Sequence, residues 1–225
     1  MNAGRYQDPE VARRYDEEDA PRDQGDVDFY LALAREAAAA GQPVLELAVG
    51  TGRVAVAVAK AGVVVVGLDL SPAMLAVARR KAAGLNLTLV EGDMADFELG
   101  RRFGLVYIPF RSFLLLTSVE QQRACLACVR RHLEPGGRFA LNFFNPDLPL
   151  AQAGSRPRPD AGQRAMSRIY GHLRLRHVSR QEMEQLLRLS GFEVEALYGG
   201  FRGEPFDDTS TEMVWVARRP ASAQE

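Results

Sequence analysis

At 225 residues, with 47% hydrophobic and 25% charged residues, the chain has the size and composition of one folded α/β domain rather than of a disordered segment. A formal net charge of -1, with acids and bases interspersed, argues against a nucleic-acid partner, which calls for a basic face. No apolar run approaches the roughly 20 residues that a bilayer span needs, and the polar stretch Met1 to Asp19 lacks the apolar segment of a secretory signal. The expectation is a cytoplasmic protein with no membrane partner.

In chain order, residues 1–26 read as a polar N-terminal arm with a short helix around Pro9 to Tyr15, and Asp28 to Ala40 as an Ala-rich helix closed by Gly41. Val44 to Leu47 is a short apolar strand, Arg53 to Ala61 a helix, and the β-branched run Val63 to Leu68 a buried strand. Ser71 caps a helix with Pro72 in its first position, running to about Ala83. Leu87 to Glu91 and Phe103 to Ile108 are strands. Ser118 caps the helix Val119 to Leu133, which stops at Pro135-Gly136-Gly137 before a strand, Arg138 to Phe144. Leu148 to Gly162 is loop-like and Ile169 to Val178 alternates weakly. Ser179 caps a helix, Arg180 to Ser190, followed by strands at Phe192 to Tyr198 and Glu212 to Ala217. Cys125 and Cys128 fall mid-helix with no partner pair of metal ligands, so they read as buried packing.

Strands alternating with helices predict a doubly wound, mostly parallel sheet, which binds its ligand beyond the carboxyl ends of the strands. The first strand runs into Glu46-Leu-Ala-Val-Gly-Thr-Gly-Arg53, where Gly50 and Gly52 permit a sharp turn and a close backbone approach to a ligand. The second ends at Asp69, about 20 residues on, placed for ribose hydroxyls. Ser71 already serves as the helix cap, so Asp69 is not needed for that. The third ends at Glu91-Gly92-Asp93-Met94, where a carboxylate and a thioether suit an adenine edge and face.

Taken together these motifs resemble the class I S-adenosylmethionine-dependent methyltransferases, over roughly Asp26 to Asn145 and again Ser179 to Arg218. The resemblance implies a Rossmann-like, mostly parallel seven-stranded sheet with an antiparallel C-terminal strand and helices on both faces. It implies S-adenosyl-L-methionine as cofactor, S-adenosyl-L-homocysteine as product, and no metal. Glu46 would orient the cofactor's ammonium, Asp69 its ribose, and Asp93 and Met94 its adenine. Gly50, Gly52, Arg53, Leu70, Met74 and Ile108 would line it, with Tyr15 of the arm closing over the methionine end. Ala48 departs from the family's usual glycine and narrows the room there. The turn also echoes the dinucleotide fingerprint, but a carboxylate at Glu46 would repel a pyrophosphate, which disfavours a nicotinamide cofactor.

The implied activity is methyl transfer to an O, N or C atom of a small-molecule acceptor. A cofactor-binding module without catalysis and a nucleic-acid methylator are the alternatives. The fourth strand ends at Tyr107-Ile108-Pro109-Phe110-Arg111, without the Asp or Asn that base-methylating enzymes place there. Phe110, Arg111, Phe143, Asn145, Tyr170 and His172 are the expected acceptor-side residues. Only His172, Tyr15 and Arg111 are candidates for catalysis, and no dedicated base is evident. His132 and His177 read as structural.

The whole reads as one domain: an arm (1–26), a cofactor-binding core (27–146), a short acceptor-side insert (147–178) and a C-terminal helix with strands (179–218). So short an insert leaves the acceptor pocket either open or completed by a second subunit of a homodimer.

Overall fold

The computed structural model describes residues 5–19, 25–145 and 174–221. Its strands are β1 (Val44–Leu47), β2 (Val65–Asp69), β3 (Leu87–Glu91), β4 (Phe103–Ile108), β5 (Leu133–Phe144), β6 (Glu193–Tyr198) and β7 (Glu212–Arg218). They form one sheet in the order β3-β2-β1-β4-β5-β7-β6. β7 pairs antiparallel with both β5 and β6, and the β3-to-β5 pairings are parallel. The Rossmann-like architecture expected from the sequence is present, antiparallel last strand included.

Period-two alternation decides which helices each strand residue meets. On one face Val44, Leu105, Tyr107 and Ala140 pack against α2 (Asp26–Ala39), α3 (Arg53–Lys60) and α4 (Pro72–Lys81). On the other, Leu45, Val106, Ile108, Leu141 and Phe143 pack against α5 (Val119–His132) and α6 (Arg180–Leu189). α4 starts as expected: Ser71 Oγ accepts from Met74 N at 3.1 Å, with Pro72 next in line. α5 starts with a full capping box between Ser118 and Gln121. The arm folds as α1 (Pro9–Arg14) and flanking turns against α4, where Ala12 is fully buried beside Ala73, Met74 and Val77.

Two expectations shift. β5 begins at Leu133 rather than Arg138, because the Pro135-Gly136-Gly137 turn stays within the sheet. Gly136 adopts φ 81, its N donates to Arg219 O at 2.9 Å, and pairing to β4 resumes at Arg138 after an irregularity. In the weakly alternating stretch 169–178, residues 169–173 lie outside the described residues. Leu175 and Arg176 form no strand, and Arg176 N donates to Leu114 O at 2.9 Å. Cys125 and Cys128 are both buried, and burial pushes the Cys125 thiol far above its ordinary value, as befits packing.

Candidate active site

The glycine turn between β1 and α3 is built on alternate left-handed residues: Ala48 at φ 55, Gly50 at φ 54 and Gly52 at φ 81. The two glycines are bare for different reasons. A Cβ on Gly52 would lie 3.1 Å from Val56 Cγ2 and 3.3 Å from Ala78 Cβ, so its bareness lets α4 approach α3. A Cβ on Gly50 would meet no protein atom within 4 Å. Packing makes no demand there, and the open side is room for a ligand. Ala48 pays a steric cost of roughly 1–2 kcal/mol for a conformation that glycine would adopt freely.

Asp69, at the end of β2, closes the turn from the other side. Its Oδ2 accepts from Gly50 N at 2.7 Å and its Oδ1 from Ser71 N at 2.9 Å. Burial raises its carboxyl above the ordinary range while these backbone amides pull it back. A carboxylate has about four acceptor sites, so capacity remains for hydroxyl donors. In the β2–β3 register Asp69 stands opposite Glu91, and Asp93 follows two residues later. Asp93 is exposed, with Oδ1 accepting from Ala95 N at 2.8 Å, and Met94 is partly buried against the core.

Glu46, inside β1, is 2% exposed. Its Oε2 is buried without a hydrogen-bond partner, as is the hydroxyl of Tyr107, its neighbour on β4. The two are near enough for the phenol to hold the carboxyl down, but burial wins and pushes Glu46 up to about 8. Arg53, at the start of α3, lowers it further, but that guanidinium forks onto buried Asp26, with Nη1 to Oδ1 at 3.0 Å and Nη2 to Oδ2. Arg53 is therefore an anchor between α3 and α2 as much as a ligand-facing group.

The arm reaches the same place. Gln7 Nε2 donates to the carbonyl of exposed Leu70 at 3.2 Å, Ser71 Oγ donates to Tyr6 O, and Lys81 pairs with Asp16 at 2.6 Å. Tyr15 meets Tyr6 edge-on at 6.0 Å, packs near buried Met74, and lies close enough to Arg53 to favour its charge. The arm is thus docked on α4 and the end of β2.

Past the ends of β4 and β5 lie the residues expected on the acceptor side. Phe110 adopts φ 64, and its N–H donates to Asn142 Oδ1 at 2.8 Å. The same oxygen accepts from Tyr30 Oη at 2.8 Å, and Asn142 Nδ2 donates to Glu212 Oε2 at 3.2 Å. Tyr30 stacks on Tyr107, the β4 neighbour of Glu46, with ring centroids 5.1 Å apart. Arg111 lies 5.0 Å from the Phe110 ring and 5.2 Å from the Phe144 ring, and donates to Glu212 Oε1 at 3.3 Å. Burial raises Glu212 above the ordinary carboxylate range; Arg111 and Asn142 oppose this.

Several expected residues are placed otherwise. Ile108 and Phe143 alternate onto the α5–α6 face and are fully buried in the core, so their side chains offer no surface to a cofactor or acceptor. Asn145 is 5% exposed, with Nδ2 donating to Ser210 O at 3.0 Å. Tyr170 and His172 lie outside the described residues. His132 is buried, with Nδ1 2.8 Å from Cys128 O, and His177 packs edge-on against Phe144 at 5.2 Å; both are structural. Sequence reasoning passed over Asp26, Tyr30, Asn142 and Glu212. The available signal was Asn142, a lone amide in the apolar run Phe139 to Phe144. Among the described residues no group of three or more His, Cys, Asp or Glu side chains could hold a metal, and no helix is long and apolar enough to cross a membrane.

Comparison with known proteins agrees with this geometry. A methyltransferase-domain family model matches residues 44–137. The chain is 30% identical over 206 residues to the cypemycin N-terminal methyltransferase of a Streptomyces species, covering 80% of this chain and 84% of that protein. It superposes on the CcbJ methyltransferase of Streptomyces caelestis with a TM-score of 0.77 at 29% identity, covering 98% of this chain and all of that one. A glycopeptide N-methyltransferase, MtfA, solved with S-adenosylmethionine bound, matches with a TM-score of 0.59 at 27% identity over 84% of this chain and 94% of that one.

Proposed function

The chain belongs to the class I S-adenosylmethionine-dependent methyltransferases, and from that premise we propose that it methylates an amine nitrogen of a small-molecule acceptor. The observation that carries the reading is Glu46. A buried carboxylate oxygen without a partner is costly to keep, and this one sits at the strand that feeds the open side of Gly50. An ammonium group there would supply the missing partner and draw the carboxyl into its charged form.

In this reading Glu46 holds the ammonium of S-adenosyl-L-methionine, Asp69 its ribose hydroxyls, and Asp93 and Met94 its adenine. Tyr15 covers the methionine end from the docked arm. Arg53 keeps α2 and α3 fixed around the turn through Asp26. In this reading the chain is one domain made of the arm (1–26), the cofactor-binding core (27–146), the acceptor-side insert (147–178) and the C-terminal helix and strands (179–218). The cofactor supplies a methyl group already activated on a cationic sulfur, which leaves the protein chiefly the work of positioning.

Nitrogen is favoured as the receiving atom by two relatives, one named a cypemycin N-terminal methyltransferase and one a glycopeptide N-methyltransferase. An amine must be neutral to attack. Glu212, raised by burial and set between Asn142 and Arg111 beside two phenylalanine rings, is suited to receive the acceptor's proton. The test is transfer from methyl-labelled S-adenosylmethionine to a panel of amino sugars, peptides with free N-termini, phenols and thiols. Label on nitrogen supports the reading, whereas product found on oxygen or sulfur alone, or no product across the panel, would sink it.

A further inference from the structure

The edge of the sheet remote from the glycine turn carries a feature that methyl transfer does not use. A groove of about 1040 Å³ opens there between the loop before β4, the outer face of α5, the end of α6 and the end of β7. Six arginines line it (Arg101, Arg102, Arg123, Arg130, Arg131 and Arg219) against two glutamates, Glu98 and Glu120, in a chain whose net charge is -1. None of the six makes a salt bridge among the described residues.

Helix-dipole compensation accounts for only part of this. Arg130 and Arg131 stand in the last turn of α5, where cations are favourable. Arg123 is mid-helix, Arg101 and Arg102 precede β4, and Arg219 follows β7, so the dipole explains none of these four. Backbone groups hold two of the guanidiniums in place: Arg219 Nη1 donates to Arg130 O at 3.0 Å, and Arg131 Nη2 donates to Phe97 O at 3.4 Å. Arg130 packs over Gly191, where a Cβ would lie 2.7 Å from its Nε. Arg219 is held below the ordinary guanidinium range by partial burial and by its like-charged neighbours Arg102 and Arg130. Positive charge in excess of the two glutamates has been gathered here from three separate elements.

The floor differs from the rim. Ala124 and Ala127 lie one turn apart on α5, and Leu189, at the end of α6, is 80% exposed. Small residues on a helix face let a second helix approach closely, and an apolar centre with a charged rim is the anatomy of a protein interface. A nucleic acid fits less well. The ring in the lining, His132, is 2% exposed and cannot stack on a base, and the two glutamates interrupt any phosphate track.

We propose that this groove docks an acidic α-helix of a partner protein, which meets the arginine rim with its carboxylates and the Ala124–Ala127–Leu189 floor with apolar side chains. The test titrates the full chain with a labelled amphipathic peptide of about 18 residues, five helical turns, bearing a Leu stripe flanked on both sides by Glu. Binding at low ionic strength is expected to weaken as salt rises. It is expected to weaken by about tenfold when Arg102→Glu is combined with Arg123→Glu, and to weaken also in Leu189→Ser. S-adenosylmethionine affinity, measured alongside, stays unchanged in these variants and shows that they are folded. The proposal is overturned if the peptide fails to bind at low salt or if the charge reversals leave binding intact. It is equally overturned if a proline-interrupted peptide of the same composition, a single-stranded oligonucleotide or an anionic phospholipid vesicle binds as well as the helix.

Discussion

The two halves of the ligand-facing sheet edge are built on opposite plans. On the β1–β2–β3 half, Asp69 and Asp93 sit at or just beyond a strand end and are held by backbone amides, Asp69 by Gly50 N and Ser71 N and Asp93 by Ala95 N, while Glu46 keeps a buried oxygen without a partner. On the β4–β5–β7 half, the groups are held by side chains far away in sequence: Tyr30 and Asn142 are 112 residues apart, and Asn142 and Glu212 are 70 apart. The first plan lets the members of the proposed cofactor site change with little effect on the fold. The second makes the proposed acceptor side part of the core.

The largest effect should fall on the second half. Asn142→Leu leaves the Tyr30 hydroxyl, the Phe110 N–H and Glu212 without their shared partner, at about 1–3 kcal/mol for each group stranded. Urea unfolding should register a loss of several kcal/mol, with cofactor affinity in the folded fraction nearly unchanged. If stability held while cofactor binding collapsed, the contrast between the halves would be wrong. Asp69→Ala should do the reverse, weakening S-adenosylmethionine binding by about ten- to a hundredfold, from roughly 1.5–3 kcal/mol for a charged hydrogen bond. Calorimetric titration measures it, and an unchanged affinity would remove Asp69 from the site.

Glu46 gives the pH dependence. Its folded-state value of about 8 lies above the ordinary 4.5. The folded protein therefore binds this proton more tightly than the unfolded chain does, and stability is lost as pH rises between those values. Glu46→Gln should match the parent in Tm near pH 5 and exceed it near pH 8. In the parent, binding the cofactor's ammonium should release a proton at pH 7, so that affinity climbs from about pH 6 to pH 8. Titrations in buffers of different ionisation enthalpy would detect that proton, and the glutamine variant should release none. The smallest effect belongs to Ala48→Gly, which relieves the left-handed strain and should stabilise the protein by about 1 kcal/mol or less, since glycine also loses more entropy on folding. A destabilised variant would show that the Ala48 methyl group makes contacts worth more than its strain.

The same contrast explains what could be read from the chain before its structure. β1, β3 and β4 have the bounds that hydrophobic runs and turn residues imply, and the three acidic positions lie within two residues of strand ends, where strand order alone locates them. The acceptor half is written in ordinary residues whose meaning comes from distant partners. Tyr30 looks like any aromatic on an apolar helix face, and Glu212 like any charge opening a strand. Ile108 and Phe143 are expected beside the ligand because they stand at the ends of β4 and β5; pleating turns both side chains the other way.

β7 runs against its neighbours, so it begins at Glu212 beside the acceptor edge and leads at its far end to Arg219 in the arginine groove. Seven residues of extended chain separate the two by about 20 Å. A macromolecule seated in the groove would therefore stand one strand's length from the site of transfer.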